Sequence, residues 1–350
     1  MKKTLILKVF NIVLLLTSNI SMLCTSGLTN NTWSGRLGDQ LIIYSKAKWL
    51  SYKYELDFFL QPFQHSNRLK LYFNEKNINQ ARFRKKITLK NEGDITTNQN
   101  ESTLYKCHFF CHLENELFEE IVKNEEFSRT LKTLIKPTSE ATNLKLPQDI
   151  ITVAIHIRKG HHDHPLISEQ IYDVKKDLYK QHPQQLDKKR TYADKAWPLK
   201  FPPEQFYIDQ LKTLYTLLNK QNLYVFIFTD QDPIKIINNF KKQSPSNIKF
   251  HCHDKNENIV DENLINDMFN MSTFDCLIRP DSSYSTIAQF IGSHKVIIEP
   301  IKSYWKNNRL IISHARATIP DYKNKTTHYF SHKKNNVPLK NLLEFQFFHQ

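Results

Sequence analysis

The chain has 350 residues, 40 % apolar and 24 % charged, which is the composition of a folded protein long enough for two domains with separate cores and excludes general disorder. Its formal net charge of +14, with a pI near 9.3, suits an anionic partner, but the lysines are spread along the whole sequence, the pattern of a solvated surface. No zinc-finger spacing, RNA-binding aromatic signature or helix-turn-helix pattern accompanies them, so nucleic acid is not an expected partner.

Lys2 and Lys3, a run from Val9 to Leu16 that is apolar but for Asn11, and small and polar residues up to Asn31 have the layout of a targeting segment. The apolar part is too short to span a bilayer comfortably. Residues 1–30 are therefore expected to be a signal peptide or other leader, placing the protein in the secretory pathway or in association with a membrane. A leader without function would leave it cytoplasmic. Sequons at Asn100, Asn270 and Asn324 are compatible with secretion but common by chance in so asparagine-rich a chain.

Of the five cysteines, Cys24 belongs to the leader. Cys107 and Cys111, beside His108 and His112, read as a disulfide, as half a zinc site completed by Cys252 between His251 and His253, or as half-buried thiols. The spacing matches no compact zinc module, so no metal is expected.

Next comes Gly35-Arg36-Leu37-Gly38-Asp39-Gln40, followed by Leu41, Ile42, Tyr44, Ala47, Trp49, Leu50 and Tyr54. This pattern predicts a glycine-bearing turn entering a helix. Gly35 and Gly38 would let the backbone approach a ligand, and the amides of a helix start favour an anion. A βα unit needs a strand before that turn, yet Gly27 to Trp33 is too polar to predict one; a helix start that merely carries two glycines is the competing reading. From Phe58 to Leu146 the pattern is irregular, with a strand predicted over Leu69 to Phe73, a loop over Asn91 to Ser102 and a helix over Leu117 to Leu134. Residues 31–147 are expected to form an N-terminal domain.

After Pro147 apolar runs recur at Ile150 to Ile157, Leu223 to Phe228, Ile248 to Cys252, Phe274 to Ile278 and Val296 to Ile298, separated by stretches of helical periodicity. One helix carries Tyr207, Ile208, Leu211, Tyr215 and Leu218 on one face; another follows Asp232, a cap, with Pro233 at its first position. A third stripe is Leu264, Ile265, Met268 and Phe269, and a fourth, after Ser282 and Ser283, is Ile287, Ala288 and Ile291. Strands alternating with crossover helices predict a Rossmann-like parallel sheet within residues 148–335, leaving 336–350 as a tail. A long insertion, His161 to Phe201, interrupts the first crossover. Its His161-His162-Asp163-His164 start reads as a solvated loop rather than a metal site, and the segment as a lid in which Tyr192 and Trp197 touch substrate.

In a parallel sheet the residues just past the strands' carboxyl ends meet at one crevice. Here they include His156 and Arg158, Thr229 to Asp232, Asp254, and Asp281 to Ser285. Arg158 suits bidentate binding of phosphate, against the alternative of a surface ion pair. Ser282, Ser283 and Ser285 would cap a helix or present it to a second phosphate oxygen. Asp230 would accept from ribose or base, or cap a helix.

The order of GRLGDQ, HIRKG, FTDQDP and DCLIRPDSSYS resembles the GDP-fucose-using fucosyltransferases, the superfamily of α1,2-, α1,6- and protein O-fucosyltransferases, over Gly35 to about Tyr44 and Val153 to about Pro300. The resemblance implies an α/β GT-B fold, two Rossmann-like domains facing a cleft with residues 31–147 on the acceptor side. It implies an inverting, metal-independent glycosyltransferase with no cofactor, moving fucose from a nucleotide-sugar donor to a glycan or glycoprotein acceptor. His156 would touch the guanine or ribose end, Arg158 would bind the departing β-phosphate, and Ser282 and Ser283 would hold phosphate. Asp267, eight positions before Asp275, would hydrogen-bond guanine. Asp39 stands where the family has asparagine, and is the candidate base; His161 stands where relatives carry aspartate, with Asp163 a substitute. The alternatives are a GT-B transferase using another nucleotide sugar, and a catalytically degenerate secreted carbohydrate- or surface-binding protein.

Overall fold

The computed structural model describes residues 26–33, 35–77, 83–96, 102–107, 120–121, 123–139, 144–158, 197–253, 260–306, 309–321 and 326–331. Two compact units divide the chain, Met1–Glu140 and Ala141–Gln350.

The first unit carries β1 (Gly27–Asn30), β2 (Asp57–Leu60), β3 (Lys76–Asn77), β4 (Lys85–Leu89) and β5 (Thr103–Cys107). They form a parallel sheet in the order β3-β2-β1-β5-β4. The polar stretch after Gly27, whose pattern predicts no strand, thus supplies the central strand. All four residues of β1 are buried, and Thr29 Oγ1 donates to the Phe59 carbonyl at 2.7 Å. A strand covered on both faces is stabilised by its neighbours, so its own alternation carries little signal. Gly27 makes the close approach feasible, since a Cβ there would stand 2.5 Å from the Phe59 ring and 2.9 Å from that of Phe83. Cleavage after residue 30 would remove β1; residues 1–25, which carry most of the expected leader, lie outside the described ones.

The helix predicted after Gly35 is α1 (Leu37–Lys53). The strand predicted over Leu69 to Phe73 is instead a short helix, α2 (Lys70–Asn74). Leu69 and Leu71 are buried while Tyr72 and Phe73 are exposed, and a run this short has no periodicity that separates the two states. The helix α3 (Glu125–Leu134) begins at Asn124, whose side chain accepts from the Phe127 amide; Glu120, Ile121 and Lys123, within the span predicted from Leu117, are helical before this break. Residues 117–119 lie outside the described ones.

The second unit has β6 (Ile151–Ile157), α4 (Glu204–Leu217), β7 (Leu223–Thr229), α5 (Pro233–Gln243), β8 (Ile248–His251), α6 (Val260–Met271), β9 (Cys276–Ile278), α7 (Ser283–Ile291) and β10 (Val296–Lys306). The strand order β10-β9-β6-β7-β8 is parallel throughout. Val153, Ile155 and Ile157 join α4 and α5 residues such as Leu211 and Phe240 in one core. The intervening Thr152, Ala154 and His156 point to the opposite face, where right-handed crossovers put α6 and α7. Asp275 locks the strands' starts: its Oδ2 accepts from the Thr152 amide at 3.0 Å and hydroxyl at 2.9 Å. The last predicted strand continues past Ile298 to Lys306 and turns back as β11 (Arg309–Asp321), paired antiparallel with β10 and then with β12 (Thr326–Ser331). The polar alternation after Pro300 hides this extension in the sequence. The tail from 336 lies outside the described residues.

Candidate functional site

Numbered from β6, the parallel strands of the second unit run 3-2-1-4-5, so the winding direction reverses between β6 and β9. Ligands of doubly wound sheets bind where the strand order reverses, outside the carboxyl ends of the strands. Arg158 follows β6, and Ser282 lies just beyond β9. Arg158 Nη1 donates to Ser282 Oγ at 3.0 Å. Two residues expected at one crevice are therefore in direct contact at that reversal.

Ser282 occupies the cap position of α7, yet its side chain makes no cap hydrogen bond; it is 1 % exposed and turned to Arg158. Its carbonyl accepts from the hydroxyls of Ser285 and Thr286. Ser283 begins the helix and is partly exposed. The first amides of α7, with the positive end of the helix dipole, thus lie next to a fixed cation.

His156 is 8 % exposed, and its buried Nδ1 has no hydrogen-bond partner among the described residues. Its ring lies 5.5 Å from that of Tyr284, in the first turn of α7. Burial, reinforced by Arg158 and Arg279, lowers its pKa to about 3, so it is a neutral imidazole at physiological pH. Arg279, which follows β9 as Arg158 follows β6, is itself buried; its Nε donates to Gln289 Oε1 at 2.7 Å, and it forms an ion pair with Glu299. Glu299 also receives Arg316. Burial pushes the Glu299 carboxyl up, but Arg279 and Arg316 outweigh it and hold it below the usual range. An arginine directly after an apolar run is the sequence signal that points to Arg279, as it does to Arg158.

Two residues of the long insertion's end reach Arg158 and the residue before Ser282. The Arg158 guanidinium carbon lies 5.7 Å from the centroid of the Phe201 ring, and the Asp281 amide donates to the Leu199 carbonyl at 2.9 Å. Trp197, expected to touch substrate, has Lys200 Nζ over its ring at 5.8 Å. Tyr192, His161, Asp163 and Asp254 lie outside the described residues.

Asp230 follows β7, and its charge reinforces the burial that pushes the Tyr207 hydroxyl well up. The helix-capping aspartate is Asp232, which accepts from the amides of Ile234 and Lys235. Asp267 on α6 holds His253 Nε2 at 2.7 Å, and the His253 ring sits edge-on to Phe226 at 5.1 Å. The carboxylate expected at guanine therefore has an intramolecular partner, a histidine that the sequence pattern associates only with a metal reading.

In the first unit Gly35 has φ +71, a conformation glycine adopts without strain, and a Cβ would meet Asp39 Oδ2 at 2.2 Å. Asp39 Oδ2 accepts the Arg36 amide at 3.1 Å and Gln40 Nε2 donates to the Gly35 carbonyl at 3.2 Å, so the turn is tied to its own helix. Gly38 is buried in the first turn of α1.

Among the described residues no group of three or more histidines, cysteines or carboxylates is placed to hold a metal, and Cys107, Cys252 and Cys276 form no disulfide. His251 stacks on Tyr224 at 4.2 Å, and Cys252 packs against the sheet core. Asn270 is 2 % exposed and its side chain accepts the Leu144 amide, which removes that sequon as a glycan site; Asn100 and Asn324 lie outside the described residues. No described helix is long and apolar enough to cross a membrane. A cavity of about 690 Å3 lined by Pro147, Tyr224, Lys249 and His251 opens at the amino ends of β6 to β8. It is at the opposite end of the strands from Arg158.

No family model matches the chain, and no curated protein matches it in sequence. Solved structures similar to it include POFUT1 in complex with GDP-fucose, at 13 % identity and a TM-score of 0.40, covering 77 % of this chain and 95 % of that one. Arabidopsis thaliana FUT1 in complex with GDP is similar at 10 % identity and a TM-score of 0.48, over 81 % of this chain and 72 % of that one. The fucosyltransferase NodZ from Bradyrhizobium is similar at 11 % identity and a TM-score of 0.37, over 89 % of this chain and 100 % of that one. At such identities the sites of these proteins are not transferred to this chain, whose own residues, the Arg158–Ser282 pair foremost, define its candidate site.

Proposed function

We infer that this protein is a glycosyltransferase that takes its sugar from a nucleotide-diphosphate donor, with GDP-fucose the donor and a hydroxyl of a glycan or glycoprotein the acceptor. The observation that carries the reading is the Arg158–Ser282 contact of 3.0 Å at the reversal of a 3-2-1-4-5 sheet. The choice of guanine and fucose rests on the likeness of HIRKG, FTDQDP and DCLIRPDSSYS to the fucosyltransferase motifs.

In such a transfer the acceptor oxygen bonds to the anomeric carbon while the bond from that carbon to the β-phosphate oxygen breaks, and the electron pair leaves with the diphosphate. Attack from the face opposite the leaving group inverts the configuration. The barrier falls where fixed positive charge meets the developing anion. Arg158 keeps its charge at any ordinary pH and matches phosphate geometry, and the start of α7 adds its dipole. This gives the cationic role to protein groups, with no metal or cofactor called upon. His156, neutral and buried, serves as a hydrogen-bonding group for the nucleoside rather than as a proton carrier. Asp230 and Asp267 stand after β7 and on α6 as acceptors for ribose and base. Gly35, Gly38 and Asp39 are assigned to the acceptor side by the motif likeness alone. Location in the secretory pathway, or at a membrane through the N-terminus, rests on the pattern of the leader residues.

Melting temperature with GDP, UDP and GDP-fucose tests the reading, since a ligand at a hundred times its Kd adds about 2.7 kcal/mol to the native state. GDP and GDP-fucose are expected to raise it and UDP to do so much less, with the rise reduced but still measurable at high GDP in Arg158→Ala. A response to UDP alone would reassign the donor; no response to any nucleotide would favour a binding protein without transferase activity.

A further inference from the structure

The five residues 197–201 touch Arg158 and Asp281, the residue before Ser282. Phe201 presents its ring to the Arg158 guanidinium at 5.7 Å, within the range of a cation–π contact. Leu199 accepts the amide of Asp281, the residue before Ser282, at 2.9 Å. The segment is itself held: the Lys200 amide closes a turn onto the Trp197 carbonyl at 2.9 Å. Pro202 and Pro203 then restrict the chain as it enters α4, whose Phe206 and Tyr207 are buried.

We propose that residues 197–201 form a strap that sets the diphosphate clamp before ligand arrives, and that Phe201 is a positioning residue acting through Arg158. This rests on the nucleotide-diphosphate reading of the site. An arginine loses much rotamer freedom when it grips a phosphate. A guanidinium already held over a ring and bonded to a serine has lost part of it in the unliganded protein, so binding costs less. The ring face also attracts the cation without neutralising it, which a carboxylate partner would do.

Titration calorimetry of GDP into the full chain tests this with Phe201→Ala, Phe201→Leu and Phe201→Tyr, each alone and combined with Arg158→Ala. Phe201→Ala and Phe201→Leu are expected to weaken GDP about five- to tenfold, and Phe201→Tyr less than about twofold, with melting temperatures close to wild type. In the Arg158→Ala background Phe201→Ala is expected to change nothing further, because its effect passes through the arginine. Full affinity in Phe201→Leu would show that packing and not the ring face matters. An undiminished loss without Arg158 would show that Phe201 acts independently; either overturns the proposal. If wild type binds no nucleotide, the functional reading fails separately. The strap is then judged by NMR alone: the ring-current shift of the Arg158 side-chain protons should vanish in Phe201→Ala, and its persistence would overturn the contact.

Discussion

Two helix starts that follow sheet strands, one in each unit, treat their polar groups in opposite ways. At α1 the Asp39 carboxylate accepts the Arg36 amide and Gln40 bonds the Gly35 carbonyl, so the turn's side chains satisfy their own backbone. At α7 the cap residue Ser282 makes no such bond and instead accepts from Arg158, 124 residues away in sequence. Within the same unit α5 shows that a side-chain cap is available, since Asp232 accepts from two amides of its first turn. A capped start gains about 1 kcal/mol and is electrostatically complete; one whose cap is turned to a cation forgoes that gain and keeps its amides available to an anion. The contrast separates a turn closed on its own backbone from one whose cap residue is turned to a distant cation.

The largest effect expected from this contrast is on Arg158. Arg158→Ala should lower turnover by about 10²–10³-fold, the loss seen when one charge-stabilising donor is removed, with the melting temperature little changed. Transfer from GDP-fucose measured with both proteins would show this, and a variant with unchanged turnover would erase the distinction between the two helix starts. Next is Glu299→Gln, which leaves the buried Arg279 beside His156 without its counter-charge. Denaturant unfolding should show a loss of about 3 kcal/mol.

A pH series gives a smaller, graded effect. His156 and His294 have pKa values lowered by burial to about 3 and about 4, and in the unfolded chain both rise to about 6.5. The unfolded chain therefore binds protons that the folded one refuses. The stability these groups contribute is complete above about pH 6.5 and falls by about 1.4 kcal/mol per pH unit for each histidine as pH drops toward 4. Replacing His156 by Phe should remove one histidine's share of that slope, which unfolding free energies from pH 7 to 4.5 would reveal. The smallest effect belongs to Asp39→Asn. An asparagine oxygen still accepts the Arg36 amide, so stability should change by less than about 0.5 kcal/mol, and turnover close to wild type would remove Asp39 as the candidate base. A loss of more than a hundredfold in turnover would instead make Asp39 the base.

Part of this organisation is legible in the sequence because it is local. Apolar runs separated by helical stripes identify parallel strands and crossovers, and Asp232-Pro233 marks a helix start, because propensity, capping and periodicity act within a few residues. His156 and Arg158 are placed at a strand end by the same logic. The central strand β1 is not legible, since Gly27–Asn30 is held by β2 and β5 and by the rings of Phe59 and Phe83 rather than by its own pattern. Nor is the pairing of Asp267 with His253 or the platform that Phe201 gives Arg158.

In the second unit the sequence by itself thus determined most of the residues that stand at strand ends and helix starts, through short-range backbone preferences. Only the tertiary structure decided which of those ends are neighbours. The 3-2-1-4-5 order sets β6 beside β9, and that long-range pairing turns two separate polar positions, Arg158 and Ser282, into one site.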